Sequence, residues 1–251
     1  MLCEKPLVCS ADELIAVREQ AAASGRVVHT VHNWHHAPIV TRTRELVASG
    51  AIGRMTRVVW RTLRSQPAAV RGDQSNWRID PAQGGGGVLT DHGWHVFYLV
   101  RRWIGESPTA VSARLETRRH TGWPVEDTAE VRVVFPHAVA EIFLTWAAEE
   151  RGNWGALEGS DGTLEVDDDT LVLTRDGRAQ RWWCPPALSS GSVHPDWFGP
   201  VAGQFVDAVT GVATSEENLA EASLCATLES LARESSRQGG RALPTPAPVA
   251  S

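Results

Sequence analysis

Lysine and tyrosine are nearly absent from this chain: Lys5 is the only lysine among 24 Lys+Arg, and Tyr98 is the only tyrosine against 11 tryptophans. Codon bias explains an arginine-rich protein, yet a lone lysine marks a place where arginine does not serve. Lysine gives up its proton when its surroundings demand it, and arginine does not. Four scattered cysteines (Cys3, Cys9, Cys184 and Cys225) show no C-x-x-C spacing, which excludes a disulfide scaffold and a cysteine-based zinc site. No apolar run approaches the roughly 18 residues of a membrane span, and no cationic-then-apolar leader opens the chain. The expectation is a soluble, cytoplasmic protein with no membrane partner. A net charge of −6 leaves no broad basic surface for nucleic acid or anionic lipid. Nowhere does the spacing G-x-G-x-x-G occur, so no dinucleotide-binding loop is readable.

What is present is ordinary globular composition: 251 residues, 42% hydrophobic and 22% charged, enough for one large domain or two small ones. Met1-Leu2-Cys3 reads as a strand end running into Glu4-Lys5-Pro6, where Pro6 holds Lys5 extended. Ser10-Ala11-Asp12-Glu13 is a capping box, and its helix runs to about Ser24, stopped by Gly25. Val27–Val31 is a short strand. Strand end, helix and strand form two-thirds of a βαβ unit, the remnant of a parallel sheet.

Beyond it the spacing predicts a helix from Pro38 to Gly50 and a strand from Arg54 to Arg64. A helix opened by Gly84–Gly87 then runs to Ile104. Meander-like strands extend from Ala110 to Trp183, and two closing helices cover about Trp197–Val209 and Asn218–Ser236. Asp167-Asp168-Asp169 reads as a solvated turn, and the tail from Leu243 as unstructured. The fold class is α+β: a largely antiparallel open sheet with flanking helices, plus a Rossmann-type remnant. The boundaries expected are 1–32 for the remnant, 33–241 for the substrate and dimerisation domain, and 242–251 for a disordered tail.

Chemistry concentrates after the glycine run. Asp91 and His95 stand four apart in the helix, one turn from each other, with Tyr98 near the same face. A carboxylate beside an imidazole raises its pKa and orients the ring, an arrangement suited to general acid–base work, although an ordinary ion pair has the same spacing. The glycines lend weight to the catalytic reading, because they let backbone approach a ligand at a helix N-terminus. His32, His35 and His36 cluster around Asn33 and Trp34, but without a neighbouring cysteine or paired carboxylate. No metal site is expected there; polar residues at a cleft mouth fit better. Trp34, Trp77 and Trp94 lie beside these polar motifs and suit a sugar-sized pocket, against the default of core packing.

Five motifs appear in order: Glu4-Lys5-Pro6, Ala51-Ile52-Gly53, Trp77-Arg78-Ile79-Asp80-Pro81, Gly85-Gly86-Gly87-Val88-Leu89-Thr90-Asp91-His92-Gly93-Trp94-His95 and Val125-Glu126-Asp127-Thr128-Ala129. Together they make the chain, from residue 1 to about 241, resemble the glucose–fructose oxidoreductase, inositol dehydrogenase and rhizopine catabolism (Gfo/Idh/MocA) family. The resemblance implies an oxidoreductase of sugars, inositols or related polyols, using NAD or NADP, with a C-terminal α/β domain whose open sheet commonly joins two subunits. It places the catalytic lysine at Lys5 and the active-site aspartate and histidine at Asp91 and His95. Glu4, Lys5 and Pro6 fall on the motif beside the cofactor, while Asn33, Trp77, Arg78 and Trp94 are candidates for substrate contact.

Two departures stand out. Relatives carry E-K-P after most of a Rossmann domain, whereas here it begins at residue 4; many carry aspartate three residues after the histidine, where this chain has Tyr98. Three readings stay open. The chain is the substrate half of an oxidoreductase whose cofactor half lies in another chain or outside this sequence; or a cofactor-free isomerase or dehydratase; or a noncatalytic sugar-binding or assembly module. The first is favoured because the catalytic residues are intact.

Overall fold

The N-terminal stretch folds as its spacing predicts, on a smaller scale. In the computed structural model, which describes residues 1–69, 76–191 and 194–246, β1 (Leu2–Cys3) and β2 (His29–Thr30) pair in parallel across α1 (Ala11–Ser24). Strand β2 is shorter than the Val27–Val31 expected. Ser10 Oγ accepts from the Glu13 N–H at 3.2 Å, and Glu13 answers by accepting from the Cys9 N–H at 2.8 Å. Gly25, at φ 61°, takes the left-handed turn that ends the helix.

A segment of tight 3₁₀ turns (Asn33–His36) leads into α2 (Pro38–Ala48) and then the nine-residue β3 (Met55–Leu63). After a second 3₁₀ turn (Trp77–Ile79) comes the short α3 (Pro81–Gly84). Gly84 ends α3 and Gly85, at φ 75°, caps it, while Gly86 and Gly87 lead directly into the next helix, as expected. The chain then forms a π-helical turn, Leu89–Gly93, which continues as α4 (Trp94–Ile104). Such wide turns re-aim side chains and recur at functional sites.

The remaining strands are β4 (Ala110–Glu116), β5 (Thr128–Val134), β6 (Val139–Thr145), β7 (Gly152–Gly159), β8 (Gly162–Asp167), β9 (Thr170–Arg175) and β10 (Arg178–Trp183). Helices α5 (Pro195–Val209) and α6 (Glu216–Arg237) come after them, and β11 (Leu243–Pro244) closes the order. Nine strands form one sheet in the order β10-β9-β8-β7-β3-β6-β5-β4-β11. Its pairs are antiparallel except β3–β6, so the α+β reading with a largely antiparallel sheet holds. The tail departs from expectation, since Leu243–Pro244 pair with β4 as an edge strand; residues 247–251 lie outside the described residues.

Period-two alternation decides which face is covered. In β5, Ala129, Val131 and Val133 are buried while Glu130 and Arg132 are exposed. The covered face lies under α4 and α6. Helix α4 is apolar nearly all round, with every residue from Trp94 to Val100 buried, as a helix wedged between a sheet and another helix requires. The opposite face carries Arg57, Glu141 and Glu158 in a cross-strand ion-pair set at 2.5 and 2.8 Å. Among the described helices, none is long and apolar enough to cross a membrane.

Candidate active site

Parallel pairing of β1 with β2 delivers two loops to one place. Leu2 lies opposite His29 and Cys3 opposite Thr30, so Glu4-Lys5 and Asn33-Trp34 leave the same end of this small sheet. There they meet the π-helical turn. Lys5 Nζ donates to Asp91 Oδ1 at 2.9 Å and also to the Asp91 backbone carbonyl. Arg78 Nε stands 3.6 Å from the same carboxylate oxygen and His92 Nε2 3.5 Å from the other. These groups line a cleft of about 490 Å³ together with Glu4, Asn33, Trp34, Trp77 and His95, a size suited to a small-molecule ligand.

Asp91 and His95 share this cleft but are not partners. His95 Nδ1 lies 2.9 Å from the Tyr98 hydroxyl, and its ring stacks on Trp34 with centroids 4.4 Å apart and planes 11° from parallel. The Tyr98 hydroxyl also accepts the Trp34 backbone N–H at 3.2 Å. The π turn accounts for the difference: it adds a residue to the turn, so an i,i+4 pair no longer stacks as it does on an α-helix.

Electrostatics depart from expectation as well. Burial drives the His95 pKa well below the ordinary value, and the charge on Lys5 pushes the same way, so the imidazole is held neutral rather than made more basic. Burial lowers His92 to about 3, opposed by Asp91. Burial alone would raise Asp91, but Lys5, followed by His92 and Arg78, holds it well below the carboxylate range. An ionised carboxylate thus faces a neutral imidazole across the cleft.

Other expectations divide. Arg78 covers the Trp77 ring at 4.3 Å, and both line the cleft, as does Asn33. Trp94 does not: it is fully buried, and its Nε1 donates to Glu229 at 2.7 Å on the far side of the turn. Glu4 and Lys5 line the cleft, whereas Pro6 is not among its lining residues. The helix start at Gly87 offers no open anion position either. The N–H groups of Gly87 and Leu89 donate to Glu126 Oε1 at 3.0 and 3.2 Å, so a side chain of this chain occupies that helix start. His32 and His35 are buried behind the cleft rather than at its mouth, and His35 Nε2 meets Glu221 at 3.0 Å.

Several lining residues escape sequence reasoning. Arg64, at the end of β3, is pinned by the carbonyl oxygens of Leu63 and Gly152. Burial, with Arg151 beside it, lowers its pKa to about 10. Arg151 reaches the Ser189 carbonyl oxygen at 2.6 Å. Asp168, expected in a solvated turn, accepts from the Asn153 and Ser189 N–H groups and from Ser189 Oγ. It thereby fixes the segment that brings Leu188 to the cleft wall. None of these carries a local signal, because the strand register alone brings them together.

Known proteins share both the sequence pattern and the fold that carry this geometry. Residues 40–165 match the family model described as the GFO/IDH/MocA C-terminal domain. Levoglucosan dehydrogenase of Pseudarthrobacter phenanthrenivorans is 28% identical over 176 residues, covering 70% of this chain and 40% of that protein. The chain thus spans less than half the length of this curated relative. Among solved structures, levoglucosan dehydrogenase in complex with NADH and levoglucosan superposes with TM-score 0.81 at 21% identity, over 98% of this chain and 74% of that one. An inositol dehydrogenase homolog from Azotobacter vinelandii complexed with NAD+ gives TM-score 0.80 at 20% identity, over 97% and 71%. At such identities the structures speak for a shared fold.

Proposed function

The chain belongs to the GFO/IDH/MocA family through its C-terminal domain, and from this premise we propose that residues 33–241 form the substrate half of an oxidoreductase. Its substrate is a sugar, inositol or related polyol or keto compound, and residues 1–32 are the remnant of a dinucleotide-binding domain. One observation carries the reading. Lys5 and Asp91, 86 positions apart, meet at 2.9 Å on the wall of a cleft that His95 also lines.

The roles follow from the contacts. Lys5 has two of its donors engaged by Asp91 and, as an ammonium with three N–H bonds, has one left to polarise a substrate hydroxyl or carbonyl oxygen. Asp91 fixes Lys5, and its second oxygen, without a hydrogen bond among the described residues, accepts from a neighbouring hydroxyl. His95, kept neutral by burial, takes the hydroxyl proton. In the tautomer suited to this, Nδ1–H points to the Tyr98 hydroxyl and leaves the Nε2 lone pair to the cleft. Trp34 and Trp77 supply the flat apolar walls that sugar rings favour.

A nicotinamide dinucleotide would supply hydride transfer, but the described residues fit only its reacting end, beside Glu4 and Lys5. The described residues build no phosphate cradle: the N–H groups of Gly87 and Leu89 serve Glu126, and the parallel sheet of the remnant has two strands. The phosphates therefore need a separate Rossmann chain or a domain outside this sequence. The same observation keeps a cofactor-free isomerase or dehydratase as the second reading. The uncovered sheet face around Arg57 and Glu141 is the proposed contact for a second copy of the chain.

The test is titration of the chain with levoglucosan, myo-inositol and L-sorbose, with and without NADH or NADPH, read by tryptophan fluorescence. Saturable quenching that disappears in Trp34→Leu and Trp77→Leu supports a sugar site. Turnover without nucleotide would favour the isomerase reading, and no response to any sugar under either condition would overturn both.

A further inference from the structure

His32 and His35 turn away from the catalytic cleft into a second cavity of about 210 Å³, which Glu221 of α6 also lines. The 3₁₀ segment and the helix come from opposite ends of the sequence, 186 positions apart. His35 Nε2 lies 3.0 Å from Glu221 Oε2, and His32 Nδ1 lies 3.4 Å from the same oxygen. The ligating atoms of all three fall within 4.8 Å of one another, and among the described residues this is the one such group of His, Cys, Asp or Glu. His32 is 2% exposed, yet neither of its ring nitrogens has a hydrogen-bond partner. His29, 4% exposed and equally without partners, lines the same cavity. Buried polar atoms are almost always satisfied, and each exception calls for a reason.

We propose that His32 Nδ1, His35 Nε2 and a carboxylate oxygen of Glu221 bind a divalent transition metal of the zinc class. Metal–ligand bonds of about 2.0–2.1 Å in a tetrahedron set ligand atoms about 3.3 Å apart, close to the 3.0 and 3.4 Å measured from Glu221 Oε2. The fourth position opens on the cavity. Arg102 Nε, 3.5 Å from Glu221 Oε1, opposes a cation, as does Arg44 on the cavity wall. Glu217, paired with Arg102, and Asp207 offset them.

The position gives the ion a structural task. The Tyr98 ring sits 4.5 Å from both imidazoles, and its hydroxyl reaches His95. Tying Asn33–His36 to α6 would fix Trp34 against the His95 ring from behind, with the metal away from the reacting atoms. This inference is independent of the dehydrogenase reading.

The experiment titrates the chelator-treated full chain with Co²⁺ and Zn²⁺, following visible d–d absorption for cobalt and calorimetry for zinc. Expected is a single equivalent with nitrogen and oxygen bands and no thiolate charge-transfer band. Glu221→Gln and His32→Gln should weaken binding roughly hundredfold or more, while His36→Gln leaves it intact. Absence of binding by the wild-type chain at millimolar metal overturns the proposal, as do thiolate bands or undiminished binding in both ligand variants. Should those variants fail to fold, imidazole nitrogen NMR of the wild-type chain decides. Zinc must shift His32 Nδ1 and His35 Nε2; shifts elsewhere, or none, overturn the site.

Discussion

Two carboxylate clusters sit on either side of the turn that begins α4, and they are finished to different degrees. On the cleft side Asp91 has Lys5 as its one hydrogen-bond donor among the described residues, with Arg78 and His92 standing further off at 3.6 and 3.5 Å. On the core side Glu126 accepts from Gly87, Leu89 and both Arg233 Nη atoms. Glu229 accepts from Thr90, Trp94 and Arg233. A saturated network has nothing left to offer a ligand, and it specifies structure. The open one keeps spare donors and acceptors in a cleft, which is what catalysis needs. Residues adjacent in sequence, Thr90 and Asp91, thus belong to different tasks.

The comparison breaks if both sides respond alike to mutation. The largest effect expected is from Lys5→Met. Turnover of whichever polyol binds, with nicotinamide dinucleotide and the half that holds its phosphates supplied, should fall roughly 10²–10⁴-fold per folded molecule, while the urea midpoint drops because Asp91 loses the cation that holds it ionised. Lys5→Arg should recover little, since a guanidinium keeps the charge but not the geometry or the labile proton. Next comes Glu229→Ala, which leaves the Trp94 N–H and the Thr90 O–H without an acceptor in the interior, while Arg233 keeps Glu126. A loss of about 1–3 kcal/mol per orphaned donor is expected in denaturant unfolding, with any turnover per folded molecule retained. A Glu229→Ala protein that is stable but inactive would mean the core cluster is part of the site.

A third variant sharpens the same boundary. A Cβ at Gly87 would run into the Glu126 backbone, so Gly87→Ala should cost about 1–3 kcal/mol through overpacking. Were the glycines instead a ligand cradle, the variant would lose binding and keep its stability. Comparing unfolding midpoints with sugar or nucleotide titrations separates the two.

How much of this was legible depends on where the information sits. Helices α1, α2, α5 and α6 and the strand alternation lie in local patterns, so the sequence predicts them within a few residues. The lone lysine ends at the site on Asp91, and its scarcity was a usable signal; the lone tyrosine also ends there, on His95, which its scarcity alone did not announce. The width of the turn at Leu89–Gly93 was not, because nothing in Leu-Thr-Asp-His-Gly distinguishes a π turn from an α turn. That one geometric detail parts Asp91 from His95 and sends Trp94 into the core. Glu221 joins His32 and His35 only through tertiary packing, so the histidine cluster has no carboxylate near it in the linear sequence.

The smallest effect tests the cleft by pH. Burial depresses the His92 pKa from 6.5 to about 3, so below about pH 6.5 the unfolded chain binds a proton at this residue that the fold refuses. The folded state therefore loses stability as pH falls, by about 2 kcal/mol between pH 8 and pH 5 from this residue. Asp91 runs the other way in origin: its depressed pKa stabilises the fold above its ordinary value of 3.8, and that contribution is lost only below this window. His92→Gln should then flatten the decline of the urea midpoint from pH 8 to pH 5 by about 2 kcal/mol, leaving the pH 8 value close to wild type. Replacing Thr90, its neighbour two residues back in the saturated cluster, by valine should keep the decline from pH 8 to pH 5, because His92 stays buried as before. A His92→Gln profile parallel to wild type would show that water or ligand reaches the ring freely, and that the cleft is no more desolvated than the surface.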